Sequence, residues 1–129
     1  MDQYWSFAPV TVMQQDNQAL VDILQAAERI QAYMVDATLT DFYADIKLQN
    51  KVMRRLLTIS KAAQQVSALT REEMSAIAWD RLSSTKERIL QEDPSIDIDQ
   101  LWATIHTEIP ALIQALKQSV PVKEQDDAI

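Results

Sequence analysis

Few side chains in this sequence are able to move protons or hold an anion. His106 is the only histidine and there is no cysteine, so thiol nucleophiles, thiolate metal sites and disulfides are excluded. One imidazole among scattered carboxylates makes a thin zinc site, and His106 reads as a partly exposed helix residue. Asp97 and Asp99 suggest a cation site, but helix capping explains them more simply. Glu72, Glu73 and Glu124 to Asp127 read as solvated charge. Lys47, Lys51, Arg54, Arg55 and Lys61 form the most basic stretch, a face that could touch RNA but reads more simply as a solvated helix face paired with nearby acids. No glycine occurs, so no phosphate-cradling glycine loop exists. Trp79 and Trp102 read as core or interface anchors and not as base-stacking platforms.

The elements that must position these groups are helices. With 129 residues, 47% of them hydrophobic, the chain suits one domain with its own core. Absence of glycine removes the turns that tight hairpins draw on, and the abundance of Ala, Leu, Gln, Glu and Lys favours helix. Asp16 is a plausible N-cap for a first long helix carrying Leu20, Ile23, Leu24, Ala27, Ile30, Gln31 and Met34 on one face. Thr38 with Asp41 forms a capping-box variant for a short helix. Asp45 caps a second long helix running to about Leu69, with Leu48, Val52, Leu56, Ile59, Ala63 and Val66 as its stripe. Thr70 to Glu73 reads as a capping box opening a third helix. Trp79 and Leu82 lead into a helix ending near Gln91, before Pro94. Asp97 to Gln100 opens a last helix with Leu101, Trp102, Ile105, Ile109, Leu112, Ile113 and Leu116, which Pro110 should kink or restart.

The expectation is therefore an all-α, up-and-down bundle of four to five helices. Residues 1–15 form an N-terminal arm rich in aromatics, 16–118 the bundle domain, and 119–129 a flexible acidic tail. The arm packs on its own domain or, alternatively, reaches a partner chain. No apolar run approaches the roughly 18 residues that span a bilayer, and no basic segment precedes an apolar stretch at the start. A cytoplasmic location is the default. A formal net charge of −7 repels phosphate backbones unless cations gather on one face, which weighs against RNA as a partner.

The run Asp22-Ile-Leu-Gln-Ala-Ala-Glu-Arg-Ile30, followed by Phe42, Asp45 and Gln49, resembles the opening of HepT-like proteins of the HEPN superfamily. Arg55-Leu56 with Ile59-Ser60-Lys61-Ala62-Ala63 resembles a second family segment, R-N-L-x-x-I-G-E-A-A. Trp79, Trp102 and Pro110 match two tryptophans and a proline at the family's separations, so the resemblance spans about residues 20–117. It implies a homodimeric helical bundle. It also implies a metal-independent ribonuclease toxin, without cofactor, partnered by a nucleotidyltransferase antitoxin. The family's signature is Arg, then four to six residues, then His, commonly with a following Tyr. Here the aligned segment has Lys86 for the Arg, Glu87 for the neighbouring Asn, Gln91 for the His and Asp93 for the Tyr; Ser83-Ser84 replace an Ala-Gly pair.

Those replacements bear directly on the chemistry. Metal-free cleavage needs a group that exchanges protons near neutral pH, and glutamine has none. Lysine offers a point charge where arginine offers a bidentate fork. Lys86 and Arg88 face Glu87, Glu92, Asp93, Asp97 and Asp99 in the same stretch, a poor bed for a phosphodiester. The resemblance with these departures implies a catalytically degenerate member acting by protein association. It would be a relic of a toxin–antitoxin pair or a binding partner of a nucleotidyltransferase. The alternative is a ribonuclease toxin working through altered groups such as Lys86, Arg88 and His106, and a helical adaptor for another partner also stays open.

Overall fold

A computed structural model describes residues 14–85, 87 and 97–119. Among them there is helix and no strand. The long helices α1 (Gln14–Met34) and α3 (Ile46–Gln64) pack along each other, with α2 (Leu39–Ala44) between them in sequence. Hydrogen bonds pair Asp16 with Ser67 at one end and Tyr33 with Arg55 towards the other, so the two run antiparallel. Short helices α4 (Ala68–Glu73) and α5 (Trp79–Ser83) follow. Then α6 (Ile98–Ala103) passes through a π turn, Thr104–Glu108, into α7 (Ile109–Ser119), which packs on α1. The expected all-helical architecture is observed, and no described helix is long and apolar enough to cross a membrane.

The helical period predicts most of the core. Leu20, Ile23 and Ile30 of α1, Val52 and Ile59 of α3, and Ile109 and Leu116 of α7 are buried, while Gln31, placed on the apolar face by spacing, is exposed. Each fully buried aliphatic or aromatic side chain contributes about 1.5–3 kcal/mol over its exposed state. Phe42 anchors α2 in this core.

The joint between α2 and α3 explains three residues of the family-like run in structural terms. Thr38 and Asp41 form the full reciprocal box at the start of α2, at 3.0 Å each way. Asp45 closes α2 through its N–H to the Phe42 carbonyl and opens α3 by accepting the Leu48 N–H at 3.0 Å. Gln49 then donates its amide to the Phe42 and Tyr43 carbonyls at 2.8 and 3.3 Å, satisfying groups that the short helix leaves open.

Three expected boundaries move. α3 ends at Gln64 and not near Leu69, with Gln65 as its C-cap. The next helix starts one turn before Thr70: Ser67 is its N-cap, and Thr70 lies fully buried inside it. Asp16 is not the cap of α1, which begins at Gln14. Its buried carboxylate instead accepts the Ser67 N–H at 3.0 Å and the hydroxyls of Ser67 and Thr70 at 2.6 Å each, tying α1 to the start of α4.

Pro110 acts one turn earlier than its own position. A proline lacks an N–H and its ring crowds the carbonyl four residues back. The chain answers with the wide turn Thr104–Glu108, in which the Ile109 N–H reaches the Thr104 carbonyl, and the helix resumes without a break. The π turn is the form that the expected disturbance at Pro110 takes.

Candidate functional site

The segment between the two tryptophans is held firmly at its entrance. Trp79 is buried and donates its indole N–H to the Met74 carbonyl at 3.1 Å, as a core anchor. The Ser83 carbonyl at the end of α5 accepts both Ser60 Oγ and the Gln64 amide at 2.9 Å. Ser60 is buried at the point where α5 packs on α3, at the position where the family-like segment has glycine. Arg71 binds the Ala63 carbonyl at 2.7 Å and the Val66 carbonyl at 3.1 Å, capping α3 from outside, and places its guanidinium 5.7 Å from the Trp79 ring centre. Thr85, buried, bonds back to the Arg81 carbonyl, and Arg81 pairs with Glu108 at 2.7 Å.

Of the four candidate positions, Glu87 is helical and exposed. Lys86, Gln91 and Asp93 lie outside the described residues, as do Arg88, Pro94, most of the N-terminal arm and the acidic tail. The exit of the segment is again ordered by carboxylates. Asp97 caps α6 by accepting the Gln100 N–H at 3.1 Å. Asp99 accepts the Tyr43 hydroxyl at 2.6 Å, and that bond pushes the Tyr43 phenol above its ordinary value. Both aspartates are thus engaged as cap and clamp, and no cluster of three or more metal-ligating side chains occurs among the described residues.

His106 lies on the π turn, exposed, with its ring stacked on Trp102 at 4.0 Å and Nδ1 3.0 Å from the Trp102 carbonyl. Trp102 in turn tilts against the buried Phe42 ring at 5.9 Å. The imidazole therefore closes a small aromatic stack over α2.

The basic stretch departs from its expected pairing. Lys47, Lys51, Arg54 and Lys61 are exposed and Arg55 is half-buried, yet none of them joins a carboxylate among the described residues. Their partner is a tyrosine. Arg55 Nε donates to the Tyr33 hydroxyl at 3.2 Å, and Lys51 Nζ stands 5.4 Å from the centre of the Tyr33 ring. Arg55, with Arg29 adding its charge from α1, holds the Tyr33 phenol below its ordinary value. Sequence reasoning missed Tyr33, Asp16 as a cross-chain clamp, and Arg71. Spacing places Arg29 and Tyr33 one turn apart, but nothing local brings them to Arg55.

Residues 23–119 match the sequence family described as ribonuclease HepT-like. The chain is 28% identical over 90 residues to a "gamma-glutamylcyclotransferase and putative RNase" of Methanocaldococcus jannaschii, covering 70% of this chain and 40% of that protein. The match thus spans less than half of that relative's length. It is 27% identical over 93 residues to a "probable ribonuclease HepT" of Thermococcus cleftensis, covering 72% of this chain and 84% of the relative. A "putative RNase" of Caldanaerobacter subterraneus is 26% identical over 99 residues, covering 77% and 88%. No solved structure matches the chain.

Proposed function

The chain belongs to the ribonuclease HepT-like family, and from that premise we propose that it is a catalytically degenerate member acting through protein association. The observation that carries this reading is the absence of an imidazole at the position of the family histidine. Position 91 is glutamine, and the chain's single histidine, His106, is stacked on Trp102 and bonded to its carbonyl. Loss of a general acid–base group costs roughly 10²–10⁴ in rate. Lys86 at the position of the family arginine removes the bidentate contact to the developing charge as well. The partners in this reading are a second copy of the chain and a nucleotidyltransferase of the antitoxin type.

The test is incubation of the purified full chain with RNA in the presence of a chelator. No cleavage above a buffer control is expected, and Lys86→Ala and His106→Ala should change nothing. Chelator-resistant cleavage abolished by either substitution would establish a working ribonuclease with altered groups. The association half is checked by co-expression with a nucleotidyltransferase encoded beside the chain. A stable complex that tolerates Gln91→Ala is expected, and separate elution would remove that partner.

A further inference from the structure

The chain has 19 acidic residues for 12 basic ones, so most cations should find a carboxylate. Among the described residues Arg29, Lys51 and Arg55 do not, and neither do Lys47, Arg54 and Lys61, but the first three share a further feature. They converge instead from two antiparallel helices on Tyr33. Arg55 Nε bonds the phenol oxygen at 3.2 Å, Lys51 Nζ covers the ring at 5.4 Å, and Arg29 sits one turn before Tyr33 on α1 with its charge felt at the phenol. Asp36, Asp41 and Asp45 line the neighbouring groove with Tyr33, but Asp41 and Asp45 accept backbone N–H groups at the starts of α2 and α3, and none of the three carboxylates forms an ion pair with these cations. Three like charges gathered on one ring without an ion-paired partner repel one another, and a fold that keeps such an arrangement leaves room for an anion.

We propose that Arg29, Lys51 and Arg55 around Tyr33 form a docking site for a phosphate monoester. Arg55 spends only Nε on the tyrosine, leaving its terminal nitrogens for oxyanion contacts, and the Tyr33 hydroxyl is free to donate its own proton outward. A compact dianion suits the site better than a polyanion. Charges beyond about 8–10 Å are screened at ordinary ionic strength, so the local cations govern a small ligand. A long phosphodiester would meet the chain's net charge of −7. The site uses none of the residues between Lys86 and Asp93, and the inference holds whether or not the chain cleaves RNA.

Titration calorimetry on the full chain with inorganic phosphate, ribose 5-phosphate, uridine 5′-monophosphate, uridine and dimethyl phosphate tests it. The three monoanion-to-dianion ligands should bind at one site, while uridine and dimethyl phosphate should not. Equal binding by phosphate and both monophosphates identifies the phosphate alone as the ligand; tighter binding of the uridine compound identifies a nucleotide. Arg55→Gln should weaken binding about tenfold or more, the loss expected for one charge-assisted contact. Lys51→Gln, at an exposed position, gives the same reading should Arg55→Gln fail to fold. Arg54→Gln changes net charge equally without touching Tyr33 and should leave affinity unchanged. Binding absent for all three phosphates, or weakened as much by Arg54→Gln as by Lys51→Gln and Arg55→Gln, would overturn the proposal.

Discussion

Asp16 shows how much one side chain can carry. Burial works against its charge, but the hydroxyls of Ser67 and Thr70 and the Ser67 N–H outweigh that cost and hold its carboxyl below the ordinary value. A carboxyl whose folded value is depressed contributes stability that is present above the unfolded value. That contribution is lost as pH falls through the folded one. The chain is therefore expected to lose stability below about pH 4 more steeply than Asp16→Asn, measured by thermal melts across acid pH. At neutral pH, Asp16→Ala should cost ~3 kcal/mol, since it removes three charge-assisted bonds and leaves buried donors behind; a denaturant titration reads this directly. Asp16 was legible as a capping residue. Which helix it caps was not, because its partners lie 51 and 54 positions away.

At the scale of elements, local rules predict helix starts well where the cap and the capped groups are neighbours, as at Thr38, Asp45 and Asp97. They fail at Ser67. The sequence Thr70 to Glu73 has the form of a box, but the Asp16 carboxylate fixes Ser67 and draws Thr70 into the interior, so the start moves one turn earlier. The apolar period ran on through Val66 because that residue is buried in the link after α3 has ended. Pro110 was recognised as a disturbance; its form was not, since widening and kinking both relieve the same clash. Pro110→Ala removes that clash. Thr104–Glu108 is then expected to tighten to ordinary α-helix, turning His106 away from Trp102. Backbone carbon chemical shifts over residues 104–109 and a change in tryptophan fluorescence check this, and unchanged shifts would mean the wide turn has another cause.

For the whole molecule, fold class was readable because patterning and composition agree throughout: no glycine, few prolines and long 3.6-residue stripes. The site was readable only as replacements in a family-like segment, whose chemistry is named by residue type and not by position in space. Assembly belongs to this scale too. Val35 and Ile46 are 77% and 67% exposed, and Tyr43 is half-exposed, around one end of the α1–α3 pair. Exposed apolar groups gathered in this way are consistent with association. Sedimentation of the full chain is expected to show a species of about twice 14.7 kDa. A monomer at every concentration would remove self-association from the proposed function.

The double duty of Asp45 sets how this scaffold tolerates change. One residue ends α2 and begins α3, and the Gln49 amide leans on the same corner. There is no slack there for an inserted residue to occupy. Lengthening the link would rotate α2 relative to α3, lifting Phe42 out of the core and parting Tyr43 from Asp99. Length variation in this lineage is thus expected to accumulate elsewhere, and this corner to behave as a hinge pin that evolution can decorate but not stretch.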